Sequence, residues 1–257
     1  MKGIAEINIL NFSIVYLLLF IVLFIMKKAK INQTKLLILA SIRMTLQLVL
    51  AGFILTYIFE NPNPLFTVFY LICMTGFAIH RVISKNPTLN KSFKIAIAAS
   101  LSVSGLSILF FFVTIIVNEN MFNPQYIIPL SGMIMGNAMT GVNLAIKSFR
   151  ETLDQQRNRI NTLINLGIIP QKILLPFVNQ SLETALLPTM NSMLGMGIVS
   201  LPGMMTGQIL SGTLPTTAIL YQISIMIAIC TVVCLSVFSS LYLGYQTLYN
   251  KKNQFTF

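Results

Sequence analysis

From Thr184 to Asn250 the chain carries no Asp, Glu, Lys, Arg or His. About 20 consecutive apolar residues suffice to cross a bilayer as a helix, so this run has room for more than one crossing. Over the whole chain 9% of the 257 residues are charged, against about 25% in soluble domains, and mean hydropathy is +0.80. The apolar runs are continuous rather than alternating, which points to helices and away from a barrel. The sequence therefore predicts an all-α, polytopic membrane protein, with residues 1–257 read as one transmembrane domain. The first apolar run is too long for the core of a signal peptide and no small-residue cleavage site follows it, so it reads as a retained span.

Spans are expected at about 9–26, 36–59, 64–80, 95–117, 126–146 and 216–248, with one more within 188–212. Residues 173–187 read either as an interfacial segment or as the start of that additional span. Lys and Arg number four in 27–35, four in 81–94 and five in 147–172, joined by Lys251 and Lys252. The loops 60–63, 118–125 and 212–215 carry none. Basic loops stay on the cytoplasmic side, which places the N-terminus outside, the C-terminus in the cytoplasm, and the number of crossings at about seven. The net charge of +11 is thus a signature of topology rather than of nucleic-acid binding. Cys73, Cys230 and Cys234 all lie in apolar runs and read as small apolar fillers, not as a disulfide framework.

The polar insertion reads KSFRETLDQQRNRINTLINLGIIPQK from Lys147 to Lys172. Phe149, Leu153, Ile160, Leu163 and Ile164 recur at helical spacing among charges. Asp154 is placed to pair with Arg150 and Arg157, and Gly167 followed by Pro170 is a helix stop. Such an amphipathic helix either lies on the membrane surface or docks a cytoplasmic partner.

Two stretches carry a specific likeness. PLSGMIMGNAMTGVNLAIKSF (129–149) and LLPTMNSMLGMGIVSLPGMMTGQILSGTLPTTAILYQISIM (186–226) resemble signature blocks of the FetB-type iron-export permease family, the membrane subunits of bacterial ABC transporters. SIRMTLQLVLAGFILTYIF (41–59) resembles that family's second span. The resemblance covers nearly the whole chain. It implies a multi-pass protein of the bacterial cell membrane, working as a homodimer with two copies of an ABC ATPase. A plant branch of similar proteins is implicated in aluminium tolerance. The segment 148–172 then looks like a coupling helix, with Arg150, Glu151, Asp154, Arg157, Arg159, Leu163 and Gly167 as its contact and turn residues. Many permeases begin this loop with Glu-Ala-Ala, where Asn161, Thr162 and Leu163 stand here. No G-x-x-x-x-G-K-[ST] occurs, so the chain is expected to bind no cofactor and to leave ATP and Mg to its partner.

Within the second block, VSLPGMMTGQILSG (199–212) reads as a broken helix. Pro202 removes a backbone hydrogen bond and Gly203 loosens the chain. Gly203 and Gly207, like Gly132 and Gly136, are spaced for close helix packing. Met133, Met193, Met204 and Met205 offer thioethers, and Asn137, Asn143, Asn191 and Gln208 offer amide oxygens, as residues lining a path. No Asp or Glu lies deep in an expected span, and the lone His80 sits at an inner end, so a dedicated metal site is not specified. Arg43, with Gln47 one turn on, is either snorkelling, paired with Glu183, or a site for an anion.

The leading expectation is an ABC permease exporting iron or another metal. The alternatives are an exporter of an anionic organic solute such as a nucleotide-sugar, and a membrane anchor or regulator of the ATPase that transports nothing. A membrane-embedded enzyme has no visible nucleophile–base pair to support it.

Overall fold

The structure, a computed structural model, describes residues 8–249. Lys251 and Lys252, on which part of the topology expectation rests, lie outside the described residues. The chain runs through helices α1 (Ile9–Lys28), α2 (Thr34–Glu60), α3 (Pro64–Lys85), α4 (Lys91–Phe111), α5 (Pro124–Gln155), α6 (Arg157–Asn165), α7 (Pro170–Gly195), α8 (Gly203–Leu210) and α9 (Pro215–Tyr245). A π-helical turn, Phe112–Ile116, extends α4, and a 3₁₀ turn, Gln246–Leu248, ends α9. Among the described residues there is no β-strand. Five segments are long and apolar enough to cross a membrane: Asn11–Lys28, Thr34–Glu60, Pro64–Lys85, Lys91–Ile116 and Pro215–Leu248. These are the first four expected spans and the last. α5 and α7 are long enough as well, but Asn, Thr, Ser and charged residues dilute their apolar content.

Helix starts follow local chemistry. Asn63 and Asn123 cap α3 and α5 by accepting hydrogen bonds from the amides of Leu65 (2.9 Å) and Gln125 (3.2 Å). In both, the following proline occupies the first helical position, where its missing N–H costs nothing. Asn90 caps α4 through the Phe93 amide at 2.7 Å and also bonds Thr247, which ties the end of α9 to the start of α4.

The core lies among α3, α4, α5, α7 and α9, with Phe93, Ile97, Leu101, Ile134, Leu174 and Val237 fully enclosed. Close approach is set by small residues. A Cβ on Gly141 would lie 2.7 Å from Val233 Cγ1, one on Gly105 would lie 2.5 Å from Met135, and one on Gly244 would overlap the Phe93 ring. These, rather than the expected Gly132, Gly136, Gly203 and Gly207, are the tight positions within the chain. Gly132 meets only Met74 at an ordinary 3.5 Å, and the other three face open space. By contrast, α1 and α2 form a hairpin at the side of the core. A Tyr16–Thr45 hydroxyl hydrogen bond of 2.6 Å joins them, and their leucines, isoleucines and phenylalanines are exposed on nearly all faces.

The polar insertion departs from expectation. It is not one helix: α5 continues to Gln155, Gln156 interrupts it with φ −101° and ψ 16°, and α6 is a separate nine-residue helix. The expected stop is present in full. Gly167 takes φ +78°, its amide bonds Ile164 O (2.8 Å), and Ile168 N bonds Leu163 O (3.1 Å), which is a Schellman closure. Pro170 opens α7 rather than merely following α6. Residues 173–187 lie inside α7. The expected 188–212 span is three pieces: the end of α7, an irregular stretch 196–202, and α8.

Candidate functional site: a polar groove along α5, α7 and α9

On α5, Asn137, Thr140, Leu144, Lys147, Glu151 and Asp154 follow one another at spacings of three or four residues. They therefore share one face. That face is not packed into the core: Asn137, Thr140, Lys147, Glu151 and Asp154 are all exposed. It forms one wall of two adjoining chambers that share Thr140 and Leu144. The first, about 370 Å³ and half open, is lined by α5, α7, the 196–202 stretch and α9, with Asn137, Thr140, Ser192, Met196, Pro202 and Met226 on its walls. The second, about 550 Å³, opens toward the insertion between Lys85, Asn86, Asn143, Lys147, Arg150 and Asp154.

The register of the walls is fixed by Ser148 Oγ, which donates to Thr184 Oγ1 across 3.5 Å. α5 and α7 run antiparallel, so stepping back along one and forward along the other brings Thr140 opposite Ser192. The last turn of α7 then stands level with Asn137. There α7 stops. Val199 N and Ser200 N both bond Gly195 O, at 3.0 and 3.2 Å, Gly197 takes φ +85°, and Pro202 precedes α8. The break expected around Pro202 and Gly203 is thus real but begins at Met196, and Pro202 sits where no intrahelical donor is required. Met196 is tethered to α9 by Gln222 Nε2, 3.7 Å from its sulfur. Gln222 is buried, and its own carbonyl oxygen has no partner.

The expected path residues divide. Asn137 and Asn143 line the chambers, and Asn86 Nδ2 donates to Asn143 Oδ1 at 3.4 Å. Met133 and Met204 pack against the core instead. Asn191 and Met193 are exposed on α7 outside the chamber walls, and Met205 and Gln208 are half-buried on α8. Arg43 and Gln47 are exposed on α2, away from the groove, and Arg43 has no ion pair with Glu183. The expected pairs of Asp154 with Arg150 and Arg157 are also not made. Among the described residues the ion pair is Lys147–Glu151, 3.7 Å apart and solvent-exposed, a geometry worth about 0.3–0.5 kcal/mol. Among those residues no three His, Cys, Asp or Glu side chains converge as a metal site.

Sequence reasoning missed Thr140, Thr189, Ser192 and Gln222. The signal available for Gln222 was a lone amide inside an otherwise apolar span; the hydroxyls gave none, because Ser and Thr are common in buried helices.

Comparison with known proteins agrees with this architecture. The profile of the uncharacterised protein family UPF0014 matches residues 9–249. The chain belongs to that family. The Escherichia coli K12 protein described as probable iron export permease protein FetB is 30% identical over 249 residues, covering 96% of this chain and 95% of that one. The Synechocystis UPF0014 membrane protein slr1647 is 32% identical over 228 residues, 87% of each chain. The Arabidopsis thaliana protein ALUMINUM SENSITIVE 3 is 30% identical over 215 residues, 82% of this chain and 77% of its own. No solved structure matches the chain. Family membership and the five apolar helices make this UPF0014 protein a multi-pass membrane protein.

Proposed function

We propose that this chain is the membrane subunit of an ABC exporter for iron or another metal, driven by a separate ATPase. The single observation that carries this reading is the continuity of the groove with the insertion. α5 runs unbroken from the groove residues Asn137 and Thr140 to Gln155. The 15 helical steps from Thr140 to Gln155 make a rod of about 22 Å. The other wall, α7, begins three residues after Gly167. Both walls therefore leave the membrane at α6. A force on α6 moves them relative to one another, because packed helices shift as rigid bodies and not by local deformation.

In this reading α1, α2, α3, α4, α5, the α7–α8 pair and α9 are the seven crossings, with the N-terminus outside. Two copies of the chain meet two ATPases. Nucleotide binding draws the ATPases together, pushes α6, and switches the groove from inward- to outward-facing. Arg157, Arg159 and Leu163 present α6 to the ATPase, and Gly167 makes the turn that lets α7 re-enter. The exporting direction and the metal cargo follow the E. coli relative, described as a probable iron export permease.

The test is cellular. A strain lacking the chain should accumulate iron and lose tolerance of metal and peroxide stress, and a complementing copy with α6 deleted should fail to restore either. Unchanged iron content and tolerance in the deletion strain would reject the proposal.

A further inference from the structure

We infer that the break between α7 and α8 is the contact between two copies of this chain, and that the second copy closes the half-open chamber beside it. This rests on reading the chain as one of a pair of permeases. Depth decides which surfaces lipid can cover. α7 ends level with Asn137 on α5. Lys147 is the first charged residue of α5 and marks the cytoplasmic boundary, about 15 Å along the helix from Asn137. In the other direction α5 runs about 20 Å further, to Pro124. The hydrocarbon core is about 30 Å thick, so the irregular stretch 196–202 lies near its middle. α8, about 12 Å long, spans most of the remainder before the turn at Gly212.

Lipid cannot cover such a stretch. Among the described residues the amides of Ile198 and Leu201 have no hydrogen-bond partner, and neither do those of Gly203, Met204 and Met205 at the start of α8. Non-helical backbone at this depth persists only inside protein or against a water-filled cavity. Yet the stretch and its approach carry the most exposed large apolar side chains among the described residues: Ile198 is 91% exposed, Val199 85% and Leu194 79%. α1 and α2 are also apolar and exposed, but as regular helices they satisfy their own backbone, so lipid suffices for them. Apolar side chains beside unsatisfied amides call for a protein cover that also encloses water.

Charge and shape identify that cover. No charge lies between Thr184 and Asn250, so a copy brought up by a twofold axis meets nothing that repels it, as a charged face would. Gly203 and Gly207 stand one turn apart on α8, and a Cβ on either would meet nothing within 4 Å. That notch is unused inside the chain, and such notches admit a second helix at close range. A twofold axis along the membrane normal sets each break against its twin at equal depth. The same stretch supplies Ser200, Leu201 and Pro202 to the chamber wall. A copy seated on it therefore covers the open side, and the amides face water held between two proteins.

The test uses the full chain in proteoliposomes, with Cys73, Cys230 and Cys234 replaced by alanine. Ile198→Cys or Val199→Cys should be joined into dimers by a short bis-methanethiosulfonate linker. Leu46→Cys, near the middle of α2 and 60% exposed, should stay unlinked. Gly203→Leu with Gly207→Leu fills the notch. By single-molecule subunit counting it should raise the dissociation constant of the dimer about tenfold or more, with yield and helical content unchanged. Gly52→Leu, at an equally open position on α2, should leave dimerisation as it was. If the leucine pair misfolds, the linking pattern still decides. Linking at Leu46 in place of residues 198 and 199, a chain that stays monomeric in the bilayer, or dimers indifferent to the leucines would each overturn the proposal. Dimers joined through another face would sink this contact and leave the exporter reading standing, whereas unchanged cellular iron in the deletion strain would sink that reading and leave the contact standing.

Discussion

Replacing Gly244 with alanine tests how the fold is held. Gly244 and Phe93 mark the end of the α4–α9 contact nearest Asn90 and Thr247, where the added methyl would overlap the ring of Phe93, itself fully buried. Alanine gains about 1 kcal/mol over glycine in a helix, which works against the clash. Overpacking a filled core costs about 1–3 kcal/mol. A rigid, enclosed ring cannot step aside as a methionine can, so the upper end applies and the net loss is about 2 kcal/mol. For a chain of this size that lowers Tm by about 4–8 °C. The assay is thermal unfolding of the purified chain in one detergent, with Gly76→Ala as the matched control. A Cβ on Gly76 meets nothing within 4 Å, so that variant should hold or gain stability. Phe93→Leu should cost stability alone yet relieve Gly244→Ala, giving a coupling of at least about 1 kcal/mol in the double-mutant cycle. If Gly244→Ala melts with the wild type, or Phe93→Leu adds to it without relief, the packing account is refuted.

Three further outcomes are expected. Gly167→Ala puts a side chain at φ +78°, which costs about 1 kcal/mol at the turn after α6; the melting temperature should drop by only about 2–4 °C while permease-stimulated ATPase activity falls several-fold. Arg157→Glu with Arg159→Glu reverses the exposed charge of α6 and should reduce ATPase co-purification several-fold without altering the yield of the chain. Arg43→Gln should leave assembly and ATP-driven metal transport unchanged, since Arg43 stands on α2 away from the groove; loss of solute-stimulated ATPase in this variant would restore an anion as cargo.

Much of this architecture is readable one segment at a time. Asn63-Pro64 and Asn123-Pro124 announce helix starts, and Gly167 a helix end, because caps and left-handed turns depend on a few neighbouring residues. The four early spans and the last stand out for the same reason: lipid asks only for length and apolarity. α7 is harder to read. Pro176 and Pro188 argue locally for breaks, yet the helix passes through both and ends at Gly195, where no proline stands. Neighbouring helices hold it, a tertiary effect with no local signal. The groove is less legible still. Thr140 meets Ser192 only because the length of the insertion sets the register of α5 against α7, and no motif encodes that length. The methionines drew attention by their number, but Met133 and Met204 serve the core as flexible filling.

The central claim is that an external ATPase drives metal through this chain. The most direct measurement is radioactive iron(II) uptake into inside-out vesicles containing the purified chain with its ATPase. The account predicts accumulation that requires ATP, both proteins and an intact α6. Uptake by the chain alone, or none when both are present and ATP is being hydrolysed, would contradict it.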